Sequence, residues 1–197
     1  MNHATISGVI ELRNATGYGA TIAVQYLEGG TSSKVVWPIG SIPSAFTICS
    51  VTRYVRGGIM GRILAGKSIN WLHGHHGIGR PKRGVAYYGD YKTSFISVGV
   101  LTDWLVMCGK NGGPTPNNIL VDGIGTGVSV GGTGSDFLSI NMNPFSPEQN
   151  SDWAFRELMI WSTVLSDTDM SVVSAALSDA LHAQVFSFAE YFHIGYS

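Results

Sequence analysis

The chain has 197 residues, enough for one domain with a substantial core. Apolar residues make up 44% of it and charged residues 13%, the latter about half of the share usual in soluble domains. This composition excludes an intrinsically disordered chain. The net charge of −1 excludes the broad basic field that attracts nucleic acid, so we expect no nucleic-acid partner.

The shortage of charge allows two interpretations of the surface. It is either built from Gly, Ser, Thr and Asn, or covered in part by sister subunits or another protein. Few charges also give little protection against association, which favours a homo-oligomer or a larger assembly.

No apolar run reaches the roughly 18–20 residues of a membrane span, so none is expected. Residues 1–8 lack the basic and continuous apolar segments of a signal peptide. An extracellular protein of this sequence would therefore be a mature fragment, a domain of a longer chain, or cargo of another export route.

Alternating apolar residues and Gly-rich turns predict many short strands. The expected strands are 9–12 (at an edge, or a tail), 21–27, 35–37, 46–54, 62–65, 70–75, 84–88, 95–100, 104–109, 119–122, 127–130, 137–141 and 153–161. The segments 119–122 and 127–130 are predicted to form a hairpin through 123–126. Strand 46–54 carries apolar groups on both faces, which is typical of a central strand.

One helix is predicted near the C-terminus. Ser166 is a natural N-cap, and Asp167 and Asp169 in the first turn favour the positive end of the helix. Apolar residues then recur at helical spacing. The aromatic segment 185–196 could be an added strand or a docking segment. Together these elements predict an all-β fold, a two-sheet antiparallel β-sandwich with one short C-terminal helix.

The sequence allows two covalent modifications, a disulfide and an N-glycosylation. Cys49 and Cys108 each lie in an apolar, strand-like run. They would form one disulfide if their strands are neighbours, and otherwise stay as two buried thiols. Asn14 begins an Asn-Ala-Thr triplet, which is a glycosylation acceptor.

The segment Gly61–Ser68 matches the phosphate-binding loop of nucleotide hydrolases letter for letter. In such a loop a helix follows the Lys-Ser pair, so that its N-terminus holds phosphate. Here residues 69–77 carry two glycines and no helical period. Nucleotide hydrolysis is therefore not predicted.

Histidine and aromatic residues concentrate at 70–77 and 84–91. On a strand His73 and His75 share one face, where Asp90 or His3 could complete a metal site. Equally, these imidazoles could be hydrogen-bonded to nearby backbone. No metal or other cofactor is assigned, because local spacing does not fix three ligands.

The same stretch suits a sugar, because tryptophan and tyrosine stack on sugar rings while His, Asn and Asp bond hydroxyl groups. Tyr87 also lies in this stretch. Alternatively, Tyr87 and Trp71 could be core residues of the sandwich. The predicted ligand-binding residues are Trp71, His73, His75, His76, Arg80, Arg83, Tyr88 and Asp90.

Catalysis is not predicted. Glycoside hydrolysis needs two converging carboxylates, and Glu157 has no acidic residue two or four positions away.

The segment Ser151–Met170 resembles the closing strand and helix start of concanavalin A-like, laminin G-like domains of the lectin and glucanase superfamily. Earlier strands of these domains resemble Phe46–Tyr54, Gly61–Gly66, Asn70–Tyr88 and Trp104–Asn111. The resemblance covers about 18–177. It predicts an N-terminal extension or edge strand at 1–17, a laminin G-like sandwich at 18–177, and a helix end with an aromatic tail at 178–197.

The resemblance implies a jelly roll that binds glycans or glycoproteins outside the cell or at a cell or virion surface, sometimes with Ca²⁺. Asp122 and Asp136 are weak stand-ins for the calcium ligands of such domains, and the catalytic acidic strand of the hydrolases is missing. The expected function is a non-catalytic, adhesion-type glycan- or protein-binding module. The alternative is a structural subunit of an extracellular or virion-surface assembly, such as a filament, sheath or capsid.

Overall fold

The computed structural model describes residues 3–77, 80–142 and 147–182. These residues form two antiparallel sheets, a short 3₁₀ helix at Pro147–Gln149 and one α-helix, α1 (Asp167–His182). The strands are β1 (Thr5–Ser7), β2 (Ile10–Gly17), β3 (Ala20–Gly29), β4 (Lys34–Val36), β5 (Thr47–Tyr54), β6 (Leu64–Gly66), β7 (Trp71–His76), β8 (Lys82–Tyr88), β9 (Leu105–Lys110), β10 (Ile119–Val121), β11 (Ile124–Gly125), β12 (Leu138–Ile140) and β13 (Trp153–Trp161).

The chain alternates between the two sheets as it runs. The six-stranded sheet has the order β1-β4-β12-β6-β7-β8, and the seven-stranded sheet has the order β11-β10-β9-β5-β13-β3-β2. The predicted all-β, two-sheet antiparallel sandwich with one short C-terminal helix is confirmed.

The main core lies between the sheets and is centred on aromatic rings. Trp71 stacks on Tyr88 with ring centroids 4.9 Å apart, and Phe46 meets both rings edge-on at 5.9 and 5.1 Å. All three side chains are fully buried. Because each large ring buries about 150–250 Å², this cluster ties the start of β5, which Phe46 directly precedes, to β7 and β8 of the other sheet.

A second core lies on the outer face of the seven-stranded sheet, beneath α1. Cys49 and Val51 of β5 belong to it, together with Met170 and Leu177 of the helix. Every residue of β5 is buried. The prediction that β5 is central is confirmed, and its outer face is covered by a helix instead of a further sheet.

Polar contacts fix the N-terminal end of α1. Ser166 Oγ accepts the backbone N–H of Asp169 at 3.0 Å, which is the predicted N-cap. Lys110 Nζ donates to the Leu165 carbonyl at 2.8 Å and to Asp167 Oδ1 at 2.6 Å. The hydrogen bond from Lys110 lowers the pKa of Asp167.

Two predicted strands, 95–100 and 127–130, do not form. Residues 95–100 form a loop, in which Phe95, Ile96 and Val100 are exposed. The predicted hairpin after 119 is shorter than expected because β10 turns directly into β11 through Asp122 and Gly123. Both have positive φ, +50° and +81°, which suits a two-residue turn of the hairpin kind.

The N-terminal segment supplies an edge strand to each sheet. β1 pairs with β4 and β2 pairs with β3. Asn14 is exposed on β2. The predicted aromatic segment 185–196 lies outside the described residues, and the predicted domain boundaries stay predictions. Within 3–77, 80–142 and 147–182, no helix is both long enough and apolar enough to cross a membrane.

Cys49 and Cys108 are joined by a disulfide with an S–S distance of 2.07 Å. They face each other on the neighbouring strands β5 and β9, within the second core. The alternative of two buried thiols therefore does not apply to this structure.

We expect the Cys49→Ala, Cys108→Ala double variant to lose up to about 4 kcal/mol of unfolding free energy, because the bond closes a loop with a sequence separation of 59. Urea unfolding with and without reductant measures this. Reduced wild type should match the double variant, and titration of two free thiols in unreduced, denatured wild type would contradict the bond.

Candidate functional site

The hairpin of β7 and β8 divides its side chains between the core and the outer surface. Trp71 pairs with Tyr88, and Leu72 pairs with Tyr87. Successive side chains on a strand point to opposite faces. Trp71 and Tyr88 therefore enter the core together, whereas Tyr87 lies on the outer face.

His73 joins the two sheets within the core. Its Nε2 lies 3.2 Å from the Met107 carbonyl of β9, and its Nδ1 lies 2.7 Å from the Tyr88 hydroxyl. A carbonyl only accepts, so Nε2 carries the proton and Nδ1 of the neutral ring accepts from Tyr88. Burial lowers the pKa of His73 to about 4, which keeps this ring neutral.

Gly109 on β9 makes room for that contact. A Cβ at this position would lie 2.2 Å from the Tyr88 hydroxyl. The sequence therefore carries a glycine where the two sheets approach each other most closely around Tyr88.

His75 is also a core residue. Its Nδ1 lies 3.4 Å from Thr52 Oγ1, and the ring meets Tyr54 edge-on at 4.5 Å. Burial, followed by the charge of Arg83, lowers the pKa of His75 well below its usual value.

Arg83 is buried in a structural ion pair. Its Nη1 and Nη2 contact the two carboxylate oxygens of Asp122 at 2.7 and 3.1 Å, and Nη1 also donates to the Val98 carbonyl at 2.9 Å. This paired geometry ties β8 to the β10–β11 turn.

Most of the predicted ligand-binding residues are therefore corrected to structural roles, because their side chains are almost wholly buried. These residues are Trp71, His73, His75, Arg83 and Tyr88. Each of these side chains is at most 3% exposed and is packed within the protein.

The predicted residues with solvent-accessible surface are His76, Arg80 and Asp90. Arg80 is exposed before β8. Asp90 is exposed and forms an ion pair with Lys92, and a hydrogen bond from Lys92 lowers its pKa. His76 alone of the three contacts the aromatic surface described next.

Three aromatic rings form a surface that we call the aromatic platform: Tyr87, Tyr91 and Phe95. Tyr87 and Tyr91 have ring centroids 4.9 Å apart, and Tyr91 and Phe95 are 5.4 Å apart. Tyr91 is 42% exposed and Phe95 45%. His76 lies against Phe95, with ring centroids 4.9 Å apart.

Cationic and polar groups surround the platform. Lys82 Nζ lies 5.4 Å from the centre of the Phe95 ring. Burial lowers the pKa of His76 to about 4, and the nearby charges of Arg62 and Lys82 act in the same direction. Its imidazole is therefore neutral at pH 7, and among the described residues its Nδ1 has no hydrogen-bond partner.

The predicted ligand-binding residues of this hairpin lie mainly on its core face, whereas the exposed rings lie on its outer face. Tyr87 and Tyr88 are adjacent, and a shift of one residue exchanges the core side for the outer side. Phe95 was missed because its apolar surroundings favoured a strand. The signal that could have found it is the spacing of Tyr87, Tyr91 and Phe95 every four residues.

The phosphate-loop-like segment has a different structure from a nucleotide site. Residues 64–66 are strand β6, and the following turn donates the N–H groups of Ser68 and Ile69 to Asp136 at 3.0–3.1 Å. The Lys67 N–H binds the Phe137 carbonyl. A carboxylate of the protein thus occupies the position that a phosphate would need.

The expected calcium stand-ins do not fit a cation. Asp136 accepts the backbone N–H groups just described, and Asp122 is paired with Arg83. Within the described part of the chain, no group of three His, Cys, Asp or Glu side chains is arranged to hold a metal ion.

A depression of about 380 Å³ lies beside the edge strand β2, apart from the platform residues. Its lining includes Glu11, Arg13, Glu28 and Asp152 but no aromatic side chain. Arg13 pairs with both glutamates, and Asp152 accepts backbone N–H groups. With its charges engaged and no ring to stack on, this depression suits a sugar less well than the platform does.

A scan of protein families finds no match to the chain, and a search of curated proteins finds no similar sequence. Solved structures share its fold. Domain 4 of AbnA, an extracellular GH43 arabinanase from Geobacillus stearothermophilus, in complex with arabinotriose, is 12% identical with a TM-score of 0.56, and 87% of each chain is covered.

Botulinum neurotoxin binding domains are similar as well. The binding domain of neurotoxin DC in complex with SialylT is 14% identical with a TM-score of 0.55, over 89% of this chain and 46% of that one. The same domain with rat synaptotagmin II has a TM-score of 0.53 at 14% identity, over 89% and 47%. The chain thus spans about half of the neurotoxin domains. These likenesses show the fold.

The neutral histidines predict acid-sensitive stability. The unfolded chain protonates a histidine near pH 6.5, whereas folded His73 protonates near pH 4. Stability is therefore complete above pH 6.5 and falls as the pH drops to 4, by about 3 kcal/mol for His73 alone. His75 adds to the loss, and the lowered pKa values of Asp90 and Asp167 act below this range.

Urea unfolding at a series of pH values measures this loss. His73→Gln should flatten the dependence between pH 4 and 6.5, and His3→Gln, which changes an exposed histidine, should not. An unchanged dependence in His73→Gln would contradict the neutral, buried imidazole.

Proposed function

We propose that this protein is a non-catalytic glycan-binding module of the adhesion type, and that the aromatic platform is its binding surface. The observation that carries the proposal is the cluster in which the Tyr91 ring lies 4.9 Å from the Tyr87 ring and 5.4 Å from the Phe95 ring, with Tyr91 and Phe95 well exposed. Exposed rings present apolar faces on which sugar rings stack.

The groups around the platform supply the hydrogen bonds that a sugar requires. The Tyr91 hydroxyl can both donate and accept a hydrogen bond. Asn70 is exposed near Arg62, to which its side-chain oxygen is bonded. A small number of polar groups beside an apolar surface is typical of ligand sites.

The structural comparisons support the same function class. Two of the similar structures hold arabinotriose and SialylT. The fold alone does not fix a function, so the proposal depends on the platform and not on the likeness. A concanavalin A-like or laminin G-like ancestry, a surface or extracellular location, and a glycan or glycoprotein partner belong to this proposal.

Truncating the platform should abolish glycan binding. We expect Tyr91→Ala and Phe95→Ala each to weaken binding by about tenfold or more, since aromatic residues at the centre of a contact surface dominate binding energy. A glycan array identifies a ligand, and calorimetry measures the affinities.

Ile124→Ala is the matched control, because Ile124 is an exposed apolar residue on the edge of the other sheet. Its affinity should equal that of wild type. Wild type that binds no glycan, or platform variants that bind as well as wild type, would contradict the proposal.

A structural subunit of an extracellular or virion-surface assembly is the second candidate function. Exposed apolar residues favour it, because such residues mark interaction surfaces when they cluster. They include Ile96 and Val100 beside the platform and Val128 and Val130 in a neighbouring loop. A protein that binds no glycan but self-associates in light scattering would favour this candidate.

A further inference from the structure

Among the described residues, every buried Lys or Arg side chain except one has a carboxylate within ion-pair distance. Four of them have a carboxylate within ion-pair distance. These pairs are Arg53 with Glu28, Arg83 with Asp122, Lys92 with Asp90, and Lys110 with Asp167. Buried charge is normally paired, because its removal from water is otherwise expensive.

Arg62 is the exception among the described residues. It is 7% exposed and has no carboxylate within ion-pair distance. Its Nε donates to Gln149 Oε1 at 2.8 Å and its Nη1 donates to Asn70 Oδ1 at 2.7 Å. Two neutral amides thus hold the guanidinium in a fixed orientation without neutralising it.

Arg62 lies beside the platform. Its Nη1 is hydrogen-bonded to Asn70, which directly precedes β7 and, by the alternation of the β7–β8 hairpin, lies on the outer face with Tyr87. Glu148 is exposed and lies outside ion-pair distance of Arg62. Arg62 in turn acts on His76, as does Lys82, whose ammonium lies over Phe95. One fixed cation and one surface cation therefore border the same aromatic surface.

We propose that the glycan bound by the platform is acidic, and that Arg62 together with Lys82 binds its carboxylate or sulfate group. This inference rests on the proposed function. Arginine presents a planar array of donors that matches such groups. The acidic group of the ligand would thereby pair with Arg62, as a carboxylate of the protein pairs with each of the other buried cations.

The test compares matched neutral and acidic sugars by calorimetry. The probes are lactose with sialyllactose and with sulfated lactose, and a galacturonate trimer with its methyl ester. We expect at least one acidic sugar to bind about tenfold or more tighter than its neutral counterpart, since hydrogen bonds to charged groups are the stronger kind.

Variants assign the preference to residues. Arg62→Gln and Lys82→Gln should each reduce the preference for the acidic sugar about tenfold, and Arg62→Lys should retain part of it. Arg56→Gln, which removes an exposed arginine outside the platform contacts, should retain all of it. Lys82 lies nearer the surface, so its variant tests the proposal even if Arg62→Gln fails to fold.

The two proposals fail in different ways. Neutral and acidic sugars that bind equally, through Tyr91 and Phe95, would overturn the acidic ligand and leave the glycan-binding function standing. If both charge variants keep the full preference, its assignment to Arg62 and Lys82 is overturned. Loss of all glycan binding in wild type would overturn both.

Discussion

The register of the β7–β8 hairpin determines the rest of the structure. Pairing Trp71 with Tyr88 places both rings in the core, where they stack at 4.9 Å and meet Phe46 of the opposite sheet. His73 adds a hydrogen bond from the same hairpin to β9. A shift by one residue would exchange the buried and exposed sides. The register thus sets both the core and the platform, because Tyr87 faces outwards only when Tyr88 faces inwards.

Buried polar groups in this protein are organised for structure more often than for chemistry. His73 and His75 are kept neutral by burial, Arg83 is held by Asp122, and Asp136 fills the turn after β6 with a carboxylate. Each group has partners that account for its position. Against this background Arg62 is unusual, since its oriented guanidinium lacks a carboxylate within ion-pair distance among the described residues. This difference between Arg62 and the paired buried cations is the basis for proposing an acidic ligand at the platform.

Local patterns in the sequence predicted much of the fold. The bounds of β13 and the N-cap of α1 follow from alternation and capping chemistry, which are local properties. The segment 95–100 was predicted wrongly, because an apolar run indicates a strand only if a neighbour pairs with it. The choice between Tyr87 and Tyr88 depends on register, and the partners of Arg62 include Gln149, 87 positions away. Neither can be derived from local sequence, so the hairpin was predictable and the division of its side chains between core and surface was not.

Hydroxyl-radical footprinting, with and without the glycan that an array identifies, is the most direct test that the aromatic platform is the binding surface. We predict strong modification of Tyr91 and Phe95 and little of Trp71 and Tyr88, because the first pair is exposed and the second is fully buried. Bound glycan should then protect Tyr91 and Phe95. Modification of Trp71 and Tyr88 in the native protein would contradict their burial, and protection by the glycan at the depression beside β2 would contradict the platform as the binding surface.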